Sequence, residues 1–184
     1  MLRNTLFPAA LFMTLVVLGV AGRLLPHAPN FTPVAACALF AGFLFGRRAA
    51  FAVPLVIMLA GDALIGFYDY RIMAAVYAAT AFPVLLGPLV RSRLPVLWLG
   101  AFSLLSSVIF FLSSNLAVWA FGSIYERTWS GLLQCYTAAL PFFRYTVAGD
   151  LVWSAGLFGA YAVACQCRAL WQGRLARGRV AWIS

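Results

Sequence analysis

Long apolar runs separated by short breaks of Gly, Pro, Arg, Asn and Asp make up almost the whole chain. The runs predict six helical segments: Thr5–Gly22, Phe31–Gly46, Ala49–Phe67, Ile72–Val90, Val96–Phe121 and Pro141–Cys167. A membrane-crossing helix takes about 20 residues, so six would use about 120 of the 184. No room is left for a separate soluble catalytic domain. The expected fold is an all-α integral membrane protein, a compact bundle of six transmembrane helices in one domain spanning residues 1–184. Residues 1–4 and 168–184 are expected as tails and 122–140 as a long outer loop able to fold back as an interfacial helix. Arg3 followed by an apolar run ending near Ala21 has the look of a secretory signal, but reads as a retained signal anchor.

Composition strengthens this pattern. Hydrophobic residues make up 65% of the chain and charged residues 9%, with a mean hydropathy of +0.97. Soluble domains carry about 25% charged residues, and disordered chains are far less apolar. All 13 cations are Arg, and the formal net charge is +9. Such a balance suits nucleic-acid binding only if the cations share a surface. Here they sit at helix ends, as cytoplasmic loops of membrane proteins require.

Sorting the Arg residues by predicted side gives an orientation. Arg3, Arg47, Arg48, Arg91, Arg93, Arg168, Arg174, Arg177 and Arg179 fall on the side of the N-terminus, whereas Arg23, Arg71, Arg127 and Arg144 fall on the other. Both termini are therefore expected in the cytoplasm. The cytoplasmic connections are tight. The outer ones, beginning with Arg23–Asn30, are longer and carry less usual residues, so recognition is expected there.

Asp62, Asp150 and Arg144 fall inside or at the rim of predicted spans. Charges within the bilayer need a partner or a water-filled cavity. Two alternatives follow. Arg144 neutralises one Asp while the other is capped or protonated, or the three form a polar floor beneath an outward-open pocket. Ser103, Ser107 and Ser114, with Asn115 beside them, recur near helical spacing, as do Thr146, Asp150 and Ser154. Such stripes serve interhelical hydrogen bonding more often than ligands. Ala38, Gly42 and Gly46 form a small-xxx-small face for close packing. His27, between Pro26 and Pro29, reads as a solvated loop residue or as a ring held over a pocket mouth.

Cys37, Cys135, Cys165 and Cys167 make no CxxC and do not share a face, which argues against a thiol oxidoreductase. No GxSxG, HExxH or Walker loop occurs, so the chain is not expected to be an enzyme. Trp98, Trp171 and Trp182 suit one membrane interface, and Trp119 and Trp129 the other. Tyr68, Tyr70, Tyr77, Tyr125, Tyr136, Phe142 and Phe143 exceed a simple belt and suit a large, partly apolar ligand.

Six short spans with polar and aromatic outer loops resemble the substrate-binding S components of energy-coupling-factor vitamin transporters. The segments Leu24–Pro33, Met58-Leu-Ala-Gly-Asp62 and Leu140-Pro-Phe-Phe-Arg-Tyr-Thr-Val-Ala-Gly-Asp150 carry the resemblance, which is nearest to the solitary, BtuM-like cobalamin type. It implies a vitamin site lined by His27, Asp62, Tyr77 and Arg144, with His27 a possible ligand of the corrinoid cobalt. It also implies a bacterial inner membrane and either solitary action or an energy-coupling module as partner. No cysteine lies between Asp62 and Tyr77 to serve as a thiolate ligand, and only Ala10 and Thr14 approximate the AxxxA seen in members that share a module. Those four that the resemblance implies, together with Asn30, Tyr68, Asn115 and Asp150, make up the expected binding set: His27, Asn30, Asp62, Tyr68, Tyr77, Asn115, Arg144 and Asp150. No intrinsic cofactor, protein-held metal or nucleic-acid partner is expected, and cobalamin is the candidate transported ligand. The alternatives are an S component for another vitamin, a ligand-free membrane scaffold or, more weakly, an enzyme acting on a lipid or vitamin.

Overall fold

The computed structural model describes the backbone of residues 3–93 and 96–180 and the side chains of residues 8–90 and 97–172. Expectations for the side chains of Arg3, Arg91, Arg93, Arg174, Arg177, Arg179 and Trp182 lie outside the described residues.

Seven helices make up the described chain: α1 (Arg3–Leu24), α2 (Val34–Leu44), α3 (Arg47–Ile65), α4 (Tyr70–Ala81), α5 (Pro83–Arg93), α6 (Val96–Phe121) and α7 (Trp129–Val180). The expected segment 72–90 is interrupted because Pro83 has no N–H with which to continue the ladder. The Phe82 amide still donates to the Ala78 and Ala79 carbonyls, at 3.0 and 3.3 Å. Pro83 then opens α5, where a missing donor costs nothing. Since α4 and α5 follow one another as a single rod, the described fold has six rods.

Four stretches are long and apolar enough to cross a membrane: Arg47–Ile65, Tyr70–Val90, Leu97–Phe121 and Trp129–Gln172. This is the make-up of a multi-pass membrane protein. Exposed Val17, Leu59, Leu104 and Val152 give the bundle an apolar exterior suited to lipid contact. Two further apolar helical stretches, Pro8–Leu24 and Val34–Leu44, are shorter.

The brevity of α2 corrects the bounds of the expected segment 31–46. Its 11 residues rise only about 16 Å. Nine of them, Val34 and Ala36–Phe43, are buried, so α2 is a central pillar that is apolar on nearly every face. Phe158 of α7 packs edge-on to Phe40 and Phe43, with ring centroids 5.0 and 5.2 Å apart. Gly42 meets the backbone of α5 at Val84, and Gly87 of α5 meets the backbone at Gly42 and Phe43. Of the small-residue face foreseen on α2, Gly42 thus makes a close crossing, whereas Gly46 lies in open space.

The expected long outer loop is also corrected. Only residues 122–128 connect α6 to α7, and residues 129–140 form the first turns of α7. Pro141 does not break this helix, because the preceding turns are held from the side. Tyr136 Oη donates to the Leu112 carbonyl at 2.7 Å, and Cys135 Sγ to that of Asn115 at 3.5 Å. Cys135 is therefore a buried helix residue rather than a loop thiol. At its other end α7 outruns the bundle beyond Tyr161, and residues 162–172 are all exposed.

The connection between α3 and α4 is tied down at both ends. Gly66, with φ 123°, lets the chain leave α3 through a conformation that side chains disfavour. Asp69 then caps α4, its Oδ1 accepting from the amides of Arg71 and Ile72 at 2.8 and 3.4 Å. Hydrogen bonds from the Arg71 guanidinium, followed by those from the backbone, lower the Asp69 carboxyl from 3.8 to about 2. A depressed folded-state value means that stability is gained above the unfolded value and lost as pH falls toward the folded one. Asp69→Asn should therefore melt below the parent protein at neutral pH, with the difference closing between pH 4 and 2. A difference that stays constant with pH would show that the charge is not what matters.

Candidate functional site

The two buried carboxylates occupy separate networks, and neither includes Arg144. Asp62 is one turn before the end of α3 and 1% exposed. Its Oδ1 pairs with the Arg23 guanidinium at the end of α1, and its Oδ2 accepts from Tyr77 Oη of α4 at 2.7 Å. Arg23 also donates to the Met58 carbonyl at 3.0 Å and so spans one turn of α3. Gly61 makes this possible: a Cβ there would stand 2.9 Å from the guanidinium carbon. The segment Met58-Leu-Ala-Gly-Asp62 is a cradle for an arginine. Tyr68 lies near it, and its phenol is pushed up by burial and further by the Asp62 charge, with Arg23 opposing.

Asp150, 4% exposed, belongs to a seam between α6 and α7. Its Oδ2 accepts from Ser107 Oγ at 2.5 Å, and Ser103 donates to Ser154 at 2.9 Å. The polar stripes on these helices therefore do join across the interface, as expected. Ser114 and Asn115 do not join them, and instead donate to the Phe110 and Phe111 carbonyls of their own helix, at 2.6 and 2.7 Å.

Between the two networks lies a cavity of about 190 Å³. Arg23, Asn30, Thr32, Tyr68, Thr80, Ser106, Thr146 and Asp150 give it polar walls, and Val34, Val76 and Phe110 give it apolar ones. The connection between α1 and α2 closes over this region in a turn. The Phe31 amide donates to the Ala28 carbonyl at 3.0 Å, with Pro29 and Asn30 at the turn's centre and Asn30 at φ 62°. Beneath the turn, Gly149 allows α7 to approach: a Cβ there would be 3.1 Å from Phe31 Cα. A second hollow of about 210 Å³ adjoins the first through Asn30, Phe110 and Thr146, and adds Asn115, Phe111, Phe142 and Phe143.

Of the residues expected to bind a ligand, Asn30, Tyr68 and Asp150 line the first cavity, and Asn115 lines the second hollow. Asp62 and Tyr77 stand behind the wall, joined to it through Arg23. His27 and Arg144 line neither hollow. The His27 ring is exposed, and its Nδ1 donates to the Leu25 carbonyl at 2.5 Å, so it is not held over a pocket mouth. Arg144 is also exposed. It donates to Tyr145 Oη at 2.8 Å and lies 4.6 Å above that ring's centroid, leaving it out of any pair with Asp62 or Asp150. The aromatics expected at the outer end divide similarly: Phe143 packs against Phe111 at 4.6 Å, while Tyr70 is 75% exposed.

The residues not foreseen are Arg23, Thr32, Thr80 and Ser106. Arg23 did carry a signal: it ends the first apolar run at the same end of the bundle as Asp62 at the end of the third. A threonine or serine in an apolar run gives no such sign. No His, Cys, Asp and Glu cluster suited to a metal occurs among the described residues.

No curated protein and no solved structure matches the chain. The DUF6580 family, a family of unknown function, matches it over residues 4–172, and the chain belongs to that family.

Proposed function

We propose that this protein takes up a small molecule of vitamin class across a membrane. It would bind its ligand in the cavity between the Arg23–Asp62–Tyr77 and Ser107–Asp150 networks and release it on the opposite side. On this reading the rods form six spans in a bacterial inner membrane, with both termini in the cytoplasm, as the bias of Arg residues requires. The resemblance to S components of energy-coupling-factor transporters points the same way. The observation that carries the proposal is the cavity itself, with its polar walls at the end of an otherwise apolar bundle. Pockets with a few converging polar groups on apolar walls are the usual sites of small-molecule binding.

The size of the cavity bears on the ligand. At about 190 Å³ it falls below the roughly 300–1,000 Å³ of pockets for drug-sized ligands. A ligand smaller than a corrin macrocycle fits best. A corrinoid would require the 25–33 and 66–69 connections to part. The scaffold alternative draws on Arg23 and Asp62, which satisfy one another without a ligand, but it does not account for the cavity beside Asp150.

Purified full-length protein, heated in detergent against a panel of vitamins including cobalamin, should be stabilised by at least one of them. Binding adds RT ln(1 + [L]/Kd) to stability, so saturation at about 100 Kd gives about 2.7 kcal/mol, a rise of several degrees in Tm. Mass spectrometry of the freshly purified protein should find the same compound carried through. A flat response across the panel would favour the scaffold.

A further inference from the structure

The two buried carboxylates differ in what they still lack. Asp62 has both oxygens engaged, one by Arg23 and one by Tyr77. Asp150 lines the cavity and, among the described residues, has no ion-pair partner. Its one hydrogen bond comes from Ser107. That hydroxyl carries a single hydrogen and also lies 3.1 Å from the Ser103 carbonyl, so the donor is shared. Arg23 reaches the cavity too, but its charge is matched by Asp62 and its remaining reach is directed to Met58. With Arg23 matched by Asp62 behind the wall, the Asp150 carboxylate on the wall is left without a cation. An unpaired buried charge is costly, and the complementary occupant is positive.

On the uptake reading above, we infer that the ligand is a small amphiphile with a cationic nitrogen seated against Asp150. Its apolar part lies along Phe110 and Val76, and Asn30 and Thr146 are placed to hydrogen-bond its remaining polar atoms. A carboxylate facing a hollow with apolar walls suits an organic cation better than a metal ion, which would need several oxygen ligands at close range.

Three probes with one skeleton and different charge test this: phenethylammonium, phenethyl alcohol and phenylacetate. Each is titrated into the detergent-solubilised full-length protein in potassium buffer, and affinity is read from the rise in Tm. Phenethylammonium should bind tighter than the alcohol by on the order of tenfold or more, as a charged hydrogen bond exceeds a neutral one. Phenylacetate should bind weakest. Asp150→Asn should shrink the gap between ammonium and alcohol to about twofold or less. Equal or tighter binding of the alcohol or the acetate overturns the inference, as does a gap that survives in Asp150→Asn. Stabilisation by sodium equal to that by phenethylammonium also overturns it. If Asp150→Asn does not fold, the order of the three probes on the unaltered protein decides. If a neutral or anionic vitamin binds while none of these probes does, the charge assignment fails and uptake stands. If neither the vitamins nor the probes bind, both fail.

Discussion

Arg23→Ala is expected to be the most damaging single truncation of a polar side chain in this protein, costing about 3–5 kcal/mol of stability. The guanidinium neutralises a carboxylate that is 1% exposed and also binds the carbonyl one turn earlier on the same helix. Without it, Asp62 keeps only the Tyr77 hydroxyl. Arg23→Lys should recover only part of the loss, because an ammonium cannot fork between Asp62 and Met58 as a guanidinium does. Gly61→Ala should reproduce much of the damage by displacing the guanidinium, although it leaves both charges in place. Removing both partners together, as Arg23→Met with Asp62→Leu, should cost clearly less than the sum of the single changes, since no charge is then left unpaired. Denaturant titration of the purified variants reads all four. Additive costs in the double variant would show that the pair does not hold α1 to α3.

The second large effect is expected where α2 crosses α5. A Cβ on Gly42 would overlap the Val84 carbonyl, and one on Gly87 would overlap the backbone between Gly42 and Phe43. Backbone cannot rotate away as a side chain can, so the helices must separate and open the packing around the central pillar. Each alanine should cost about 2–3 kcal/mol, near the upper end for overpacking, and Gly42→Leu should give no folded, monodisperse protein. The two alanines together should cost less than their sum, because one separation of the helices accommodates both. Gly156→Ala is the control: it is helical with open space around it, so it should be neutral or stabilise by up to about 1 kcal/mol. If Gly42→Ala behaved like Gly156→Ala, the close crossing would not be what positions α2.

Much of the fold was legible because apolar runs and their breaks are local signals. The ends of α3 fall two residues from expectation and those of α6 coincide with it, and Gly46, Gly66 and Gly122 punctuate the chain there. Two errors share a cause. Residues 31–46 looked like one longer, lipid-facing helix because composition does not distinguish it from a buried pillar. Residues 122–140 looked like a loop because Pro141 is a local breaker, yet Tyr136 and Cys135 reach α6 and hold the helix through it.

The site was less legible, for a different reason. Asp62 and Asp150 stood out because ionised groups are rare in apolar runs, and both prove to be buried in polar networks. Arg144 stood out on the same ground but faces outward, stacked on Tyr145. Arg23, counted among the charges that orient helices, is instead the counterion of Asp62. A cation at a helix end suits an interface or a buried partner equally well, and only the neighbour decides.

By itself, then, the sequence established an all-helical, apolar bundle, its approximate helices and the two acids that require explanation. Each of these depends on the character of a residue and its near neighbours along the chain. Tertiary structure alone decided which cation meets which acid, that α2 stands at the centre, and that a cavity opens between the two networks. Those outcomes depend on residues far apart in the chain, 35 to 43 positions for the bonds from Arg23 to Met58 and Asp62 and from Ser107 to Asp150, and the energy of a buried charge is set by what lies within a few ångströms of it in space.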